Sequence, residues 1–173
     1  IPTGLAAIGN RNGGYSDGSV SLTWNEVSGA DNGYAIQTLL SGTQVGDLTG
    51  VLGQGTTNAV VTGLQGGTSY TFKIRAVSSS GVSTWSSAVT ATPITAPSTP
   101  VKPTHSNSGL NVTVNWTAPA SDGGTAITSY TVTEANTGRT QSVSAGTTTA
   151  LFSGFASGSK VKFSVRAINN VNT

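Results

Sequence analysis

The chain predicts an all-β protein made of two antiparallel sandwiches in tandem, and three observations carry that prediction. Composition is the first: 17 Val, 7 Ile and 28 Thr are β-branched side chains that favour strands and disfavour a helical bundle. The second is an internal repeat, in which one order of alternating strands occurs twice about 91 positions apart, the mark of a duplicated unit. Turn residues supply the third. Asp17-Gly18, Asp31-Asn32-Gly33, Gly66-Gly67, Ser108-Gly109, Asp122-Gly123-Gly124 and Asn136-Thr137-Gly138 punctuate the 173 residues with the cadence of a sandwich or barrel.

Each strand has its own justification. Val20, Leu22 and Trp24 alternate apolar with polar positions, as do Val112, Val114 and Trp116, so both read as half-buried strands. Tyr34 and Ile36 return as Tyr130 and Val132. Phe72, Ile74, Arg75, Ala76 and Val77 return as Phe163, Val165, Arg166, Ala167 and Ile168. Alternation on a single face favours antiparallel sheets with one wet side over a parallel α/β sheet, whose strands are continuously apolar. No ten-residue stretch has a helical period, so little or no helix is expected.

Composition also excludes several classes. Ser, Thr and Gly fill 74 positions and only 14 residues are charged, well under the usual quarter or so, so hydroxyls rather than ions wet the surface. A net charge of +2 with this many β-branched residues does not fit disorder. No run approaches about 18 apolar residues, so no membrane-spanning helix is expected. Without cysteine neither a disulfide framework nor a thiolate metal site is available. Without methionine the chain is expected to be processed or part of a longer polypeptide.

The residues resemble the fibronectin type III family. In the first copy the resemblance rests on Trp24, Tyr34, Gly63-Leu64, Tyr70, Phe72, Ile74, Ala76 and Val77, followed by Ser83, Trp85, Ser86 and a last strand ending at Thr92-Pro93. The second fits through Trp116, Ala118-Pro119, Ser121 to Gly124, Ile127, Tyr130, Val132, Phe155, Phe163 and Ala167. This implies immunoglobulin-like sandwiches over residues 1–95 and 96–173. It also implies that Tyr70 closes a corner through its hydroxyl, a feature lost at Val161. The second copy has only six residues after Ala167, so its seventh strand is expected either beyond Thr173 or from another chain. Pro93, Pro97, Pro100 and Pro103 predict a stiff linker and a semi-rigid rod.

A search for chemistry finds no catalytic, cofactor or metal site. Gly14-Tyr15-Ser16-Asp17-Gly18 has the nucleophile-elbow spacing, but a hairpin loop rather than a strand-to-helix turn is expected there. His105, the single histidine, reads as a solvated side chain. The six acids, Asp17, Glu26, Asp31, Asp47, Asp122 and Glu134, are scattered, with Asp31 and Asp122 read as turn formers. Two groups are candidates for partner binding. Arg75, on the outward face of its strand, is expected to stack on Trp85, an arrangement resembling the tryptophan-arginine ladder of some relatives. Lys160, Lys162 and Arg166 are expected on one outward strand face, in a half carrying +3 while residues 1–96 carry −1.

Together these features predict a non-catalytic structural or adhesive module that spaces, connects or presents other domains and binds through its loops. Two alternatives are an accessory spacer of a secreted polysaccharide-degrading enzyme and a fibre or surface-assembly subunit completed by a neighbour's strand. The expected partners are a protein or glycan surface or neighbouring copies, with no specific nucleic acid, no transmembrane segment and no cofactor. Cysteine-free, Ser/Thr/Gly-rich composition without an Arg-Gly-Asp triplet resembles microbial or phage members, which implies an extracellular location on a microbial cell or virion surface.

Overall fold

The computed structural model describes residues 1–12 and 18–171, and its contacts divide the chain into two units, Ile1–Thr95 and Ala96–Thr173. Strands account for the regular structure. The first unit runs β1 (Ala6–Gly9), β2 (Arg11–Asn12), β3 (Gly18–Thr23), β4 (Tyr34–Leu40), β5 (Thr43–Leu52), β6 (Asn58–Leu64), β7 (Tyr70–Ser78), β8 (Gly81–Val82), β9 (Val89–Ala91) and β10 (Ile94–Thr95). The second runs β11 (Thr104–Ser108), β12 (Asn111–Asn115), β13 (Ile127–Glu134), β14 (Thr140–Ser144), β15 (Thr149–Phe152) and β16 (Phe163–Asn169).

Two antiparallel sheets face each other in each unit. In the first, β1-β3-β6 opposes β5-β4-β7, with β8 and β9 also pairing β7. In the second, β11-β12-β15 opposes β14-β13-β16. The one parallel pair described, β10 with β2, is only two residues long. Burial follows the period of two that the sequence shows: β3, β4 and β7 alternate buried with half-buried positions, and β16 alternates buried with exposed ones.

The cores hold the residues that alternation selects. Val20, Leu22, Trp24, Tyr34, Ile36, Leu64, Tyr70, Phe72 and Ile74 are buried in the first, with Leu5 and Val89 packed at its margin. Val112, Val114, Trp116, Tyr130, Val132, Phe163 and Val165 are buried in the second, with Ile127 and Phe155 at its margin. Both cores are pinned by the same aromatic pair: Trp24 meets Tyr34 edge-on at 5.4 Å and 62°, and Trp116 meets Tyr130 at 5.5 Å and 61°. Edge-on packing suits the ring quadrupoles and adds about 0.5 to 1.5 kcal/mol beyond area burial.

The two corners differ as the residues require. Gln65 N donates to Tyr70 Oη at 3.1 Å, whereas the counterpart of Tyr70 is Val161, which packs half-buried against the second core. Both corners keep the same turn, through Thr68 N to Gln65 O at 3.3 Å and Ser159 N to Ala156 O at 3.1 Å.

Candidate interaction surfaces

The pole of the first sandwich between Trp24 and Tyr34 is built by hydrogen bonds to the strands behind it. Val27 N donates to Tyr34 Oη at 2.7 Å, so a core tyrosine also fixes a loop. Gly33 has φ +80°, and its carbonyl accepts from Val77 N at 2.8 Å while Asn32 N donates to Val77 O at 3.1 Å. Asp31 then reaches across: its carboxylate accepts from Ser79 Oγ at 2.8 Å and Ser79 N at 3.3 Å. The Ser79 hydroxyl, with backbone N–H groups, holds the Asp31 carboxyl below the ordinary aspartate range. Asp31 therefore ties two loops 48 residues apart, a broader role than forming its own turn. Beside this tie lies a cleft of about 340 Å³ lined by Val27, Ser28, Ser78, Ser80 and Val82, among others.

Arg75 and Trp85 come together as their spacing predicts. The guanidinium lies 4.5 Å from the ring centroid, and Arg75 Nε is buried without a hydrogen-bond partner, so the indole face is what compensates that nitrogen. The segment bearing Trp85 is held down on both sides. Ser83 N and Ser86 N donate to Ala76 O and Ile74 O at 3.0 and 2.8 Å, and the two serine hydroxyls accept from Ala76 N and Ile74 N at 3.0 and 3.1 Å.

The basic group is placed differently. Arg166 is exposed on β16, but Lys160 and Lys162 precede the strand, which begins at Phe163. Their backbone is used otherwise: Lys162 O accepts from Ala135 N and Lys160 O from Asn136 Nδ2, both at 2.8 Å. All three side chains are exposed. His105 is also exposed, yet its ring lies 5.9 Å from that of Phe163, so it leans on the core margin.

Two polar features escape the sequence reading. Glu134 continues the inward parity of Tyr130 and Val132 and is fully buried. Its carboxylate accepts from Thr137 Oγ1 at 2.6 Å, Thr137 N at 2.8 Å and Asn136 N at 3.0 Å. The Thr137 hydroxyl, aided by these amides and against the cost of burial, holds its carboxyl low. Arg139 packs over Phe155 and Phe152 at 5.2 and 5.8 Å and donates to Ser153 O at 2.9 Å. Asp122 does form its own turn, Oδ1 accepting from Gly124 N at 2.8 Å.

Of the elbow-like segment Gly14 to Gly18, all but Gly18 lies outside the described residues. Among the described residues no three His, Asp or Glu side chains cluster as metal ligands, and no helix is long and apolar enough to cross a membrane.

The chain is 34% identical over 120 residues to a Kelch domain-containing protein, SSO1033, of Saccharolobus solfataricus; the match takes in 68% of this chain and 16% of that protein. The chain thus spans about a sixth of that relative's length. Among solved structures, a two-domain fibronectin type III segment of chicken tenascin is 17% identical, with a TM-score of 0.49 over 98% of this chain and 91% of that one. The FN1–FN3 domains of chicken CNTN1 are also 17% identical, with a TM-score of 0.46 over 99% of this chain and 60% of theirs. The sequence profile of the fibronectin type III domain matches residues 11–92 and again 96–173, and the chain accordingly belongs to the fibronectin type III family.

Proposed function

We propose that this pair of domains is an extracellular structural and adhesive module that spaces or presents other domains and binds a protein or glycan surface through loops of its first sandwich. Fibronectin type III domains are in general non-catalytic modules that mediate interactions, which supports the reading. The observation that carries it is the Asp31–Ser79 tie: it holds two loops in one arrangement beside a hydroxyl-lined cleft of about 340 Å³, so a partner does not bear the whole cost of ordering them. The relative in Saccharolobus solfataricus supports a microbial setting. The Arg75–Trp85 stack and exposed Lys160, Lys162 and Arg166 are further proposed contacts.

Retention of chain-coated beads on protein-coated and polysaccharide-coated surfaces tests this. Retention is expected on at least one, competed by soluble chain and lost in Ser80→Lys and Val82→Glu, two exposed positions of the cleft. Beads that adhere nowhere, or adhere equally with both variants, would overturn the loop-binding reading.

A further inference from the structure

The first sandwich carries no Asn-x-Ser/Thr triplet, and the second carries two, Asn111-Val112-Thr113 and Asn115-Trp116-Thr117, the acceptor pattern for N-linked glycosylation. A folded domain tolerates a glycan only where the asparagine amide faces water, and a strand offers that only on the wet side of its sheet. Val112 and Val114 turn inward and are buried, so Asn111, Thr113 and Asn115 turn outward. β12 is the middle strand of β11-β12-β15. Ladders on both sides therefore fix this orientation, with Val114 opposite His105 and Ala150.

The first copy treats the same positions differently. With Val20 matched to Val112, Ser19 and Ser21 hold the places of Asn111 and Thr113, and both hydroxyls accept from Asn10 Nδ2, at 3.0 and 2.9 Å. Asn25, Asn136 and Asn169 likewise engage their amides, with Thr3 Oγ1, Lys160 O and Asp122 O. The side-chain amides of Asn111 and Asn115 belong to exposed residues and make no hydrogen bond among the described residues. Asn111 is the less crowded of the two. It borders the exposed turn at Gly109 and Leu110 and pairs only with Ser108, the ladder to β15 stopping at Val112 opposite Phe152. Asn115 lies between Thr104 and Thr149 and runs into Trp116, which is buried and whose N–H donates to Thr148 O at 3.1 Å.

We infer that Asn111 is an N-glycosylation site, its oligosaccharide supplied from a polyprenyl-phosphate carrier by a membrane-bound transferase. Asn111 Nδ2 forms a bond to the anomeric carbon as the bond from that carbon to the carrier's phosphate oxygen breaks. The electron pair of the broken bond leaves with the phosphate, and the nitrogen gives up one proton to a base of the transferase. Thr113, two residues on and on the same face, supplies the hydroxyl that the pattern requires, and Val112 between them is not proline. The sugar projects from the wet face beside exposed Leu110 and Leu151, displacing neither a side-chain hydrogen bond nor a core residue. The inference rests on the extracellular setting proposed above, because such transferases act on exported chains, but it does not involve the loops of the first sandwich.

Mass spectrometry of proteolytic peptides tests it on two samples: the protein taken from its own cells, and the 173-residue chain exported from a host that has the lipid-linked oligosaccharide machinery. A hexosamine-containing or hexose-containing adduct is expected on Asn111 in both. In the exported chain Thr113→Ala, which keeps the asparagine, is expected to remove the adduct completely, Thr113→Ser to retain it, and Asn115→Gln to leave it in place. Asn111 bare in both samples would overturn the inference, as would an adduct that survives Thr113→Ala or that sits on Asn115 alone. Asn111 occupied in the exported chain but bare in the protein from its own cells would overturn it as well, and would place the failure in the extracellular setting rather than in the acceptor. Bead adhesion lost while Asn111 stays occupied would count against the loop-binding reading and leave this site intact.

Discussion

The Arg75 guanidinium carbon stands 4.5 Å above the centre of the Trp85 ring, and this pair fastens the segment between β8 and β9 to the outward face of β7. A half-exposed stack of this kind contributes about 0.5 to 1 kcal/mol. Trp85→Ala and Arg75→Ala should each lower the first sandwich's stability by about 1 to 2 kcal/mol, since each also removes partly buried apolar surface. The double variant should lose less than the sum of the two, by about the stack's own contribution. Urea titration of all four proteins measures this, and strict additivity would show that the stack contributes nothing.

Tyr70 and Val161 make a natural experiment within one chain. Tyr70→Phe removes the hydroxyl that accepts from Gln65 N at 3.1 Å and should cost about 0.5 to 1.5 kcal/mol. In the second unit the same turn is present, closed by Ser159 N to Ala156 O, but a valine stands at the corner. Val161→Tyr should therefore supply an acceptor for Ala156 N and stabilise the second sandwich by up to about 1 kcal/mol. Separate thermal transitions, followed by Trp24 and Trp116 fluorescence in single-tryptophan variants, read the two changes independently.

These comparisons show which parts of the fold were legible in the sequence. A strand with one wet face writes itself as alternation, so Val20-Leu22-Trp24 and Val112-Val114-Trp116 identify core and register directly. Arg75 and Trp85 were legible because each lies on a readable face of a readable strand or its flank. Glu134 was not: its inward parity argues for an apolar residue, and only the fold of Asn136-Thr137-Gly138 back over the carboxylate makes a buried charge tolerable. Arg139 over Phe152 and Phe155 was equally hidden, because no spacing rule joins a turn residue to rings in a later strand and loop. β16 begins at Phe163 rather than at Lys160, and the Lys160 carbonyl instead accepts from Asn136 Nδ2, a side-chain contact that periodicity does not express.

Gly33 and Gly29 have nearly the same backbone, φ +80° and +83°, in very different surroundings. A Cβ at Gly33 would overlap the Leu52 carbonyl, whereas one at Gly29 would meet nothing within 4 Å. Gly29→Ala should cost only the left-handed dihedral, about 1 to 2 kcal/mol. Gly33→Ala must also push β5 away from β4, so its cost should exceed that of Gly29→Ala by about 1 to 3 kcal/mol. Chemical denaturation of the two variants side by side checks the difference, and equal costs would mean that β5 yields freely.

The pH response of the second sandwich should be governed by Glu134. Its carboxyl is held below the ordinary value of 4.5, mainly by the Thr137 hydroxyl, so the folded chain binds fewer protons than the unfolded chain in the acid range. Stability from this group is then fully present above that ordinary value and is lost as pH falls through the lowered folded value. The lost interaction is the Asn136-Thr137-Gly138 turn itself, since a protonated carboxyl accepts more weakly from Thr137 N and Asn136 N. Thr137→Val removes the principal cause and should move the Glu134 titration midpoint up toward the ordinary glutamate range. Following the Glu134 Cδ chemical shift by ¹³C NMR gives the midpoint in both proteins, and urea titrations on either side of it give the linked stability. A midpoint unchanged by Thr137→Val would assign the depression to the backbone amides, and stability that failed to fall with pH in the wild-type protein would break the linkage altogether.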